Sequence, residues 1–253
     1  MNHEHYQQFH QSIFWLYYAK AMLQAKLKQH NDAIGSFIAC LDAKNYAQVL
    51  MDNKDLAKDE LANHMQVLKT AERNISGKSS SGADLSIKAS LVKLADKYKQ
   101  VILFYEQILN NRADITPLDF GSIFNIPLGN NESQNIRLQY GYTHYHKGLC
   151  QIKLKKEKEA IESFNIANKL LPDFCAPYIQ KANIFKEQKS FKKALVQYDA
   201  AIRIEYNNAE LYFNRSVLLF ELGDKAKAKD DFARYQKLKD GVDKFKVYDE
   251  TAV

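Results

Sequence analysis

The sequence predicts an all-α chain of stacked helical hairpins, and three observations point there. Ala160, Ala194 and Ala228 stand thirty-four residues apart, each followed four residues later by an aromatic, Phe164, Tyr198 or Phe232. Twelve residues before each alanine is a small residue, Gly148, Ala182 or Ser216, and seven after it come Ala167, Ala201 and Tyr235. Glycine and proline are scarce, 9 and 4 in 253 residues, and Pro117, Pro127, Pro172 and Pro177 sit where helices should stop. Apolar side chains recur at helical spacing through most of the chain, and an apolar content of 46% is ample for a substantial core. Small residues let two antiparallel helices approach closely, and the aromatics fill the wedge where the helices diverge. A lone pair has too little partner surface to cover its apolar faces, so neighbouring pairs share one core.

In chain order, Tyr6, Phe9, Ile13, Phe14, Tyr17, Ala21 and Leu27 predict a helix over 4–28. A polar turn at Lys28 to Asn31 leads to a second helix, in which Ala33, Phe37 and Cys40 repeat the offsets of Ala160, Phe164 and Ala167. Ala21 stands where Gly148 does, so a cryptic hairpin is expected over 14–47, with Asn45 at its exit in place of a proline. Leu61, Met65 and Leu68 predict a helix over 56–71, NISGKSSSGAD a break, and Ile87, Leu91, Leu94, Tyr98, Ile102 and Tyr105 a long helix over 85–109. The irregular stretch 111–135 carries Ile115, Leu118, Phe120, Ile123, Phe124, Ile126 and Leu128, too much apolar surface for a bland linker, and is expected to lie against the helices. Three hairpins are then expected over 136–242 and a C-terminal cap and tail over 243–253, with 1–110 forming an N-terminal helical region that contains the cryptic hairpin.

The segments YHKGLCQIKLKKEKEAIESFNIANKLLP, APYIQKANIFKEQKSFKKALVQYDAAIRI and AELYFNRSVLLFELGDKAKAKDDFARYQKL resemble three consecutive tetratricopeptide repeats. The resemblance covers about 100 residues and implies a right-handed helical-hairpin solenoid of that family's type. It also implies that the first helix of each pair lines a concave surface, here through Tyr142, Tyr145, Leu149 and Ile152, then Ile179, Asn183 and Lys186, then Phe213, Val217 and Phe220. Such a lining, mainly apolar and aromatic, suits a peptide or helix of a protein partner. Its rival occupant is the chain itself, through helix 85–109 or the strip Phe120 to Leu128. Some members of the family clamp the C-terminal carboxylate of heat-shock chaperones. Asn214, Asn183 and Lys244 match three clamp positions, but Ile179 and Tyr248 stand where lysine and arginine are wanted, which removes much of the attraction.

The formal charge is +6, and the stretch from Lys147 to Lys193, with eleven lysines against five acids, holds an excess of that size. Lys153, Lys156, Lys189, Lys192 and Lys193 fall at hairpin turns, which stacking would gather into a basic edge for solubility, or for RNA or an acidic partner. Interleaved Glu157, Glu159, Glu187 and Asp224 weaken the nucleic-acid reading. Signals for catalysis are sparse. SGKSS at 76–80 has Glu72 where a phosphate loop needs glycine, His146 and Cys150 at i, i+4 have no second ligand pair, and neither GxSxG nor HExxH occurs. No enzyme, metal or other cofactor is expected. The terminal Glu250, Thr251, Ala252 and Val253 resemble a PDZ-type ligand. Three cysteines without a CxxC pair suit a reducing compartment, and with no signal-like start or membrane-length apolar run the expectation is a cytoplasmic protein. The expected role is a non-catalytic adaptor or assembly factor that holds a peptide or helix on the concave face. The alternatives are a structural subunit of a larger complex, and a binder of RNA or acidic partners through the basic edge.

Overall fold

The computed structural model describes residues 3–76, 82–109, 119–127, 129 and 131–249. Among these all regular structure is helical. The chain divides into two compact units, Met1–Ser163 and Phe164–Val253. The expectations placed on 77–80, on Ile115, Leu118 and Leu128, and on the last four residues lie outside the described residues.

Unit 1 is arranged around α1 (His3–Lys26), which packs against α2 (His30–Leu41), α3 (Ala43–Asp52), α4 (Lys54–Ser76), α5 (Gly82–Leu109) and α7 (Glu132–Lys153). A helix contacted on so many sides must be apolar nearly all round, and Phe9, Ile13, Phe14, Trp15, Leu16, Tyr18, Ala19, Ala21 and Leu23 are all buried. The short helix α6 (Phe120–Phe124) sets two rings against Trp15, with Phe120 and Phe124 each stacked at a centroid distance of 5.2 Å. The apolar residues of this part of the irregular stretch therefore lie in the core, where Phe120 and Ile126 are buried. α3 is a departure from the sequence expectation. Past Leu41 the chain enters another helix almost at once and turns back onto α1, which no small-residue signature foretells.

The α1/α2 hairpin repeats the later register. Ala21, Ala33, Phe37 and Cys40 are as completely buried as Ala160, Phe164 and Ala167. Ser36 Oγ donates to Gln24 Oε1 at 2.7 Å, and Ser163 Oγ donates to Gln151 Oε1 at 2.8 Å, the same bond at the same twelve-residue separation. α2 then packs against α7, so the elements α3 to α6 are inserted between two hairpins that would otherwise adjoin. α7 opens on Asn131, whose Oδ1 accepts from the Gln134 amide at 2.9 Å and satisfies one of the donors a helix start leaves open.

α8 (Glu157–Leu170) follows α7 and contains the division between the units. Unit 2 continues with α9 (Cys175–Glu187), α10 (Phe191–Ile204), α11 (Ala209–Glu221) and α12 (Lys225–Asp249), each packed against the next. Ala182 and Ala194 have no exposed surface, as expected of residues that set the distance of closest approach between α9 and α10. The ring of Tyr198 is fully buried, and its hydroxyl donates to Asn183 Oδ1 at 2.7 Å. Adjacent hairpins are tied by one recurring contact. Lys181 Nζ donates to Asn165 Oδ1 at 3.1 Å, and thirty-four residues on Arg215 Nη1 donates to Asp199 Oδ1 at 2.7 Å.

The hairpin turns share a backbone feature. Lys28, Lys155, Lys189 and Gly223 hold equivalent places, with φ of 66°, 58°, 56° and 84°. A side chain in that left-handed region costs about 1–2 kcal/mol, which glycine avoids at the expense of greater freedom in the unfolded chain. Lys189→Gly is therefore expected to raise the stability of unit 2 by about 0.5–1 kcal/mol, read as a shift in urea midpoint. An unchanged or lowered midpoint would show that the lysine is held there by contacts rather than merely tolerated.

Candidate functional site

The residues that the sequence nominates for a concave lining fall in both units and meet different environments. In unit 1 Tyr142 is half-buried against the core, and burial raises its phenol above the ordinary value. Tyr145 packs edge-on to His146 at 5.2 Å, Ile152 is half-buried, and Leu149 lines a cleft. In unit 2 Ile179 packs against the core, Asn183 is engaged by Tyr198, and Lys186 is partly exposed. Asn214 Nδ2 donates to the Glu210 carbonyl of its own helix at 2.8 Å, so part of its hydrogen-bonding capacity is already used.

Phe213, Val217 and Phe220 behave otherwise. They are 37%, 42% and 61% exposed, and with Ala228 and Phe232 of α12 they line an apolar groove of about 430 Å³. Phe232 is 42% exposed, whereas Phe164 and Tyr198 at the equivalent places of the preceding hairpins are wholly buried. The aromatic that fills a wedge between helices elsewhere is thus open in the last hairpin. Phe232 and Phe213 each lie against Tyr235, at 5.8 and 5.2 Å, which holds the groove in shape.

Of the lysines that the sequence nominates for a basic edge, Lys153 and Lys156 in unit 1 and Lys189, Lys192 and Lys193 in unit 2 are each exposed. Lys156 lies 3.9 Å from Glu159, and Lys193 Nζ sits 5.8 Å from the centroid of the Phe185 ring. Both contacts are the ordinary occupations of surface lysines and add little by themselves.

Sequence reasoning missed two polar clusters. In unit 1 Glu60 accepts from Tyr17 at 2.5 Å and from Tyr46 at 3.1 Å, and lies 2.9 Å from His64 Nε2. The hydroxyl of Tyr98 reaches His64 Nδ1, so the tautomer protonated on Nε2 satisfies both contacts. Burial alone would raise the Glu60 carboxyl, but the hydrogen bonds from His64 and Tyr17 outweigh it and hold the group down at about 2. His64 has no exposed side-chain surface, so this cluster ties α1, α3, α4 and α5 together rather than meeting a substrate. The only sequence signal was five residues with polar groups on otherwise apolar faces. In unit 2 Arg215 forks onto Asp231, with Nε and Nη2 each donating at 2.7 Å, while Nη1 reaches Asp199. Its signal was the sixteen-residue spacing of Arg215 from both partners, which Lys181 repeats toward Asn165.

The cysteines offer little reactivity. Cys40, Cys150 and Cys175 are free and buried, and burial pushes their thiols up, to about 11 for Cys150 and about 12 for Cys175, where Glu205 adds to the effect. His146 stacks on Phe37 at 6.2 Å, and burial lowers it to about 4. Among the described residues no three His, Cys, Asp or Glu side chains come together as metal ligands, and no helix is long and apolar enough to cross a membrane.

A family model for the TPR repeat matches residues 182–223, and one for the tetratricopeptide repeat matches residues 209–240. No curated protein matches the chain. Among solved structures, a crystal structure of MamA is similar at 13% identity and a TM-score of 0.41, over 83% of this chain and 92% of that one. The TPR2AB-domain:pHSP90 complex of yeast Sti1 is similar at 15% identity and a TM-score of 0.34, over 92% of this chain and 93% of that one. Residues 182–240 are thus the part of the chain that tetratricopeptide-repeat family models match.

Proposed function

We propose that the protein is a non-catalytic adaptor that holds a helix of a protein partner in the groove between α11 and α12. The observation that carries this reading is the exposure of Phe213, Val217, Phe220 and Phe232 together, on a hairpin whose counterparts cover the equivalent aromatic completely. Four large apolar side chains open to water in one groove are a binding surface looking for cover, and a helix with anchors at i, i+3 and i+7 is the shape that next-hairpin packing provides elsewhere in the repeat. Covering each side chain contributes about 1 kcal/mol, enough in sum for specific association once orientation costs are met.

The test is Val217→Glu with Phe220→Glu in the full chain. Both positions are exposed, so helicity and melting temperature should stay within the range of surface substitutions, about 0.5 kcal/mol. The set of proteins recovered by affinity purification and mass spectrometry should lose its specific members. Retention of the same set by the double variant would end the assignment of partner binding to this groove, and loss of self-association in ultracentrifugation would make the partner a second copy.

A further inference from the structure

We propose that unit 1 carries a second binding site, separate from the α11/α12 groove, which takes an acidic peptide segment anchored by one or two apolar side chains. The site is a cleft of about 590 Å³ where α1, α5 and α7 come together beside the start of α2. Its floor is apolar, with Met22 of α1, Leu94 of α5 and Leu149 of α7 only partly covered. Its rim is basic, with Lys26, Lys93, Lys97 and Lys153 contributed by three different helices.

Among the described residues no carboxylate lines the cleft, and Asp96, which lies between Lys93 and Lys97 in sequence, is outside it. Lys58, Lys156 and Lys227 each have an acid within 4.0 Å three residues away. Among the described residues Lys26, Lys93 and Lys153 have no ion pair, and Lys97 has only the Phe124 ring, 5.7 Å from its Nζ. At the same rim His30 Nδ1 is buried without a hydrogen-bond partner among the described residues. Burial, and after it the charges of Lys153 and Lys28, hold that imidazole below its ordinary value. Like charges gathered from separate helices around one open cleft repel one another, and an anionic ligand relieves the repulsion.

The floor decides which anion. A single strand of nucleic acid gains much of its affinity by stacking bases on aromatic rings, yet Phe37 has no exposed surface and its face is taken by His146. A free inorganic anion would leave Met22, Leu94 and Leu149 in water. A segment alternating carboxylates with a leucine or phenylalanine uses both features at once, its charges steering the encounter and its anchor displacing water from the floor. The site lies wholly in unit 1, so it stands or falls independently of the α11/α12 groove, and the two tests share no residue.

Fluorescence anisotropy on the full chain tests the proposal, with a fluorescein-labelled peptide rich in Asp and Glu around one leucine and one phenylalanine as the probe. Binding is expected to weaken as salt rises. It should fall about tenfold or more when the acids become Asn and Gln, when the anchors become serine, or when the protein carries Lys93→Glu with Lys153→Glu. Both lysines are exposed, so circular dichroism should be unchanged in that variant. Lys192→Glu with Lys193→Glu in unit 2 is the control and should leave the affinity as it was. Equal binding of the neutral peptide, or indifference to the Lys93 and Lys153 reversal, would overturn the proposal. So would an RNA oligonucleotide or phosphatidylserine vesicles binding with that lysine dependence while the peptide did not.

Discussion

Replacing Tyr198 by alanine should lower the stability of unit 2 by about 3–5 kcal/mol, the usual range for a fully buried aromatic. Tyr198 is wholly buried in the core that α9, α10 and α11 share, alongside Ala182, Ala194, Leu211 and Leu218. Those alanines hold helix backbones close, so little side-chain mass is available to move into the vacated space. A cavity that the neighbours cannot fill adds its own penalty to the lost burial. Tyr198→Phe separates packing from polarity. It keeps the ring and removes only the hydroxyl that donates to Asn183 at 2.7 Å, and its expected cost is about 1 kcal/mol. Urea unfolding of both variants, at unchanged m-value, checks the pair. A cost below about 1 kcal/mol for Tyr198→Ala would mean that the wedge is not filled by this ring.

Arg215→Ala should cost about 2–3 kcal/mol, for a different reason. The side chain of Asp231 is only 10% exposed, and the guanidinium meets both of its oxygens at 2.7 Å. Without the arginine a carboxylate is left shielded from water and without its cation, which is where most of the cost of breaking such a pair arises. The link to Asp199 is discounted, because that side chain is 48% exposed and water takes the place of the lost partner. Arg215→Lys should recover less than half of the loss, since an ammonium cannot fork onto two oxygens as a guanidinium does. A double-mutant cycle with Asp231→Ala reads the coupling directly, and a value near zero would show that the three charges merely coexist.

The hairpins were legible wherever small and aromatic residues recur at fixed spacing. Ala160, Ala194 and Phe37 are buried in the places that their periodicity assigns them, because close helix approach leaves no alternative at those positions. The α1/α2 hairpin could be seen for the same reason despite its distance from the others. What periodicity could not reveal is contact between elements unrelated by the repeat. The stacking of Trp15 on Phe120 and Phe124, and the basic cleft that Lys93 and Lys97 form with Lys153, depend on where α5 and α6 pack. The left-handed lysines were also hidden, since glycine marks that conformation in a sequence and stands only at Gly223. For the candidate lining, residue type alone did not distinguish Phe213, which faces water, from Ile179, which packs inward.

The insertion of α3 to α6 bears on how the protein comes off the ribosome. About 90 residues separate the end of α2 from the start of α7, whereas α9 to α12 each meet a neighbour within a few residues of chain. At 5–20 residues per second, roughly 5–20 s pass between the emergence of the two. Throughout that interval Phe37 lacks the imidazole that covers it in the finished unit. Unit 2 can zip up as it is made, while the nascent first hairpin must wait, greasy side outward, and in the cell that delay is when a holdase would find it.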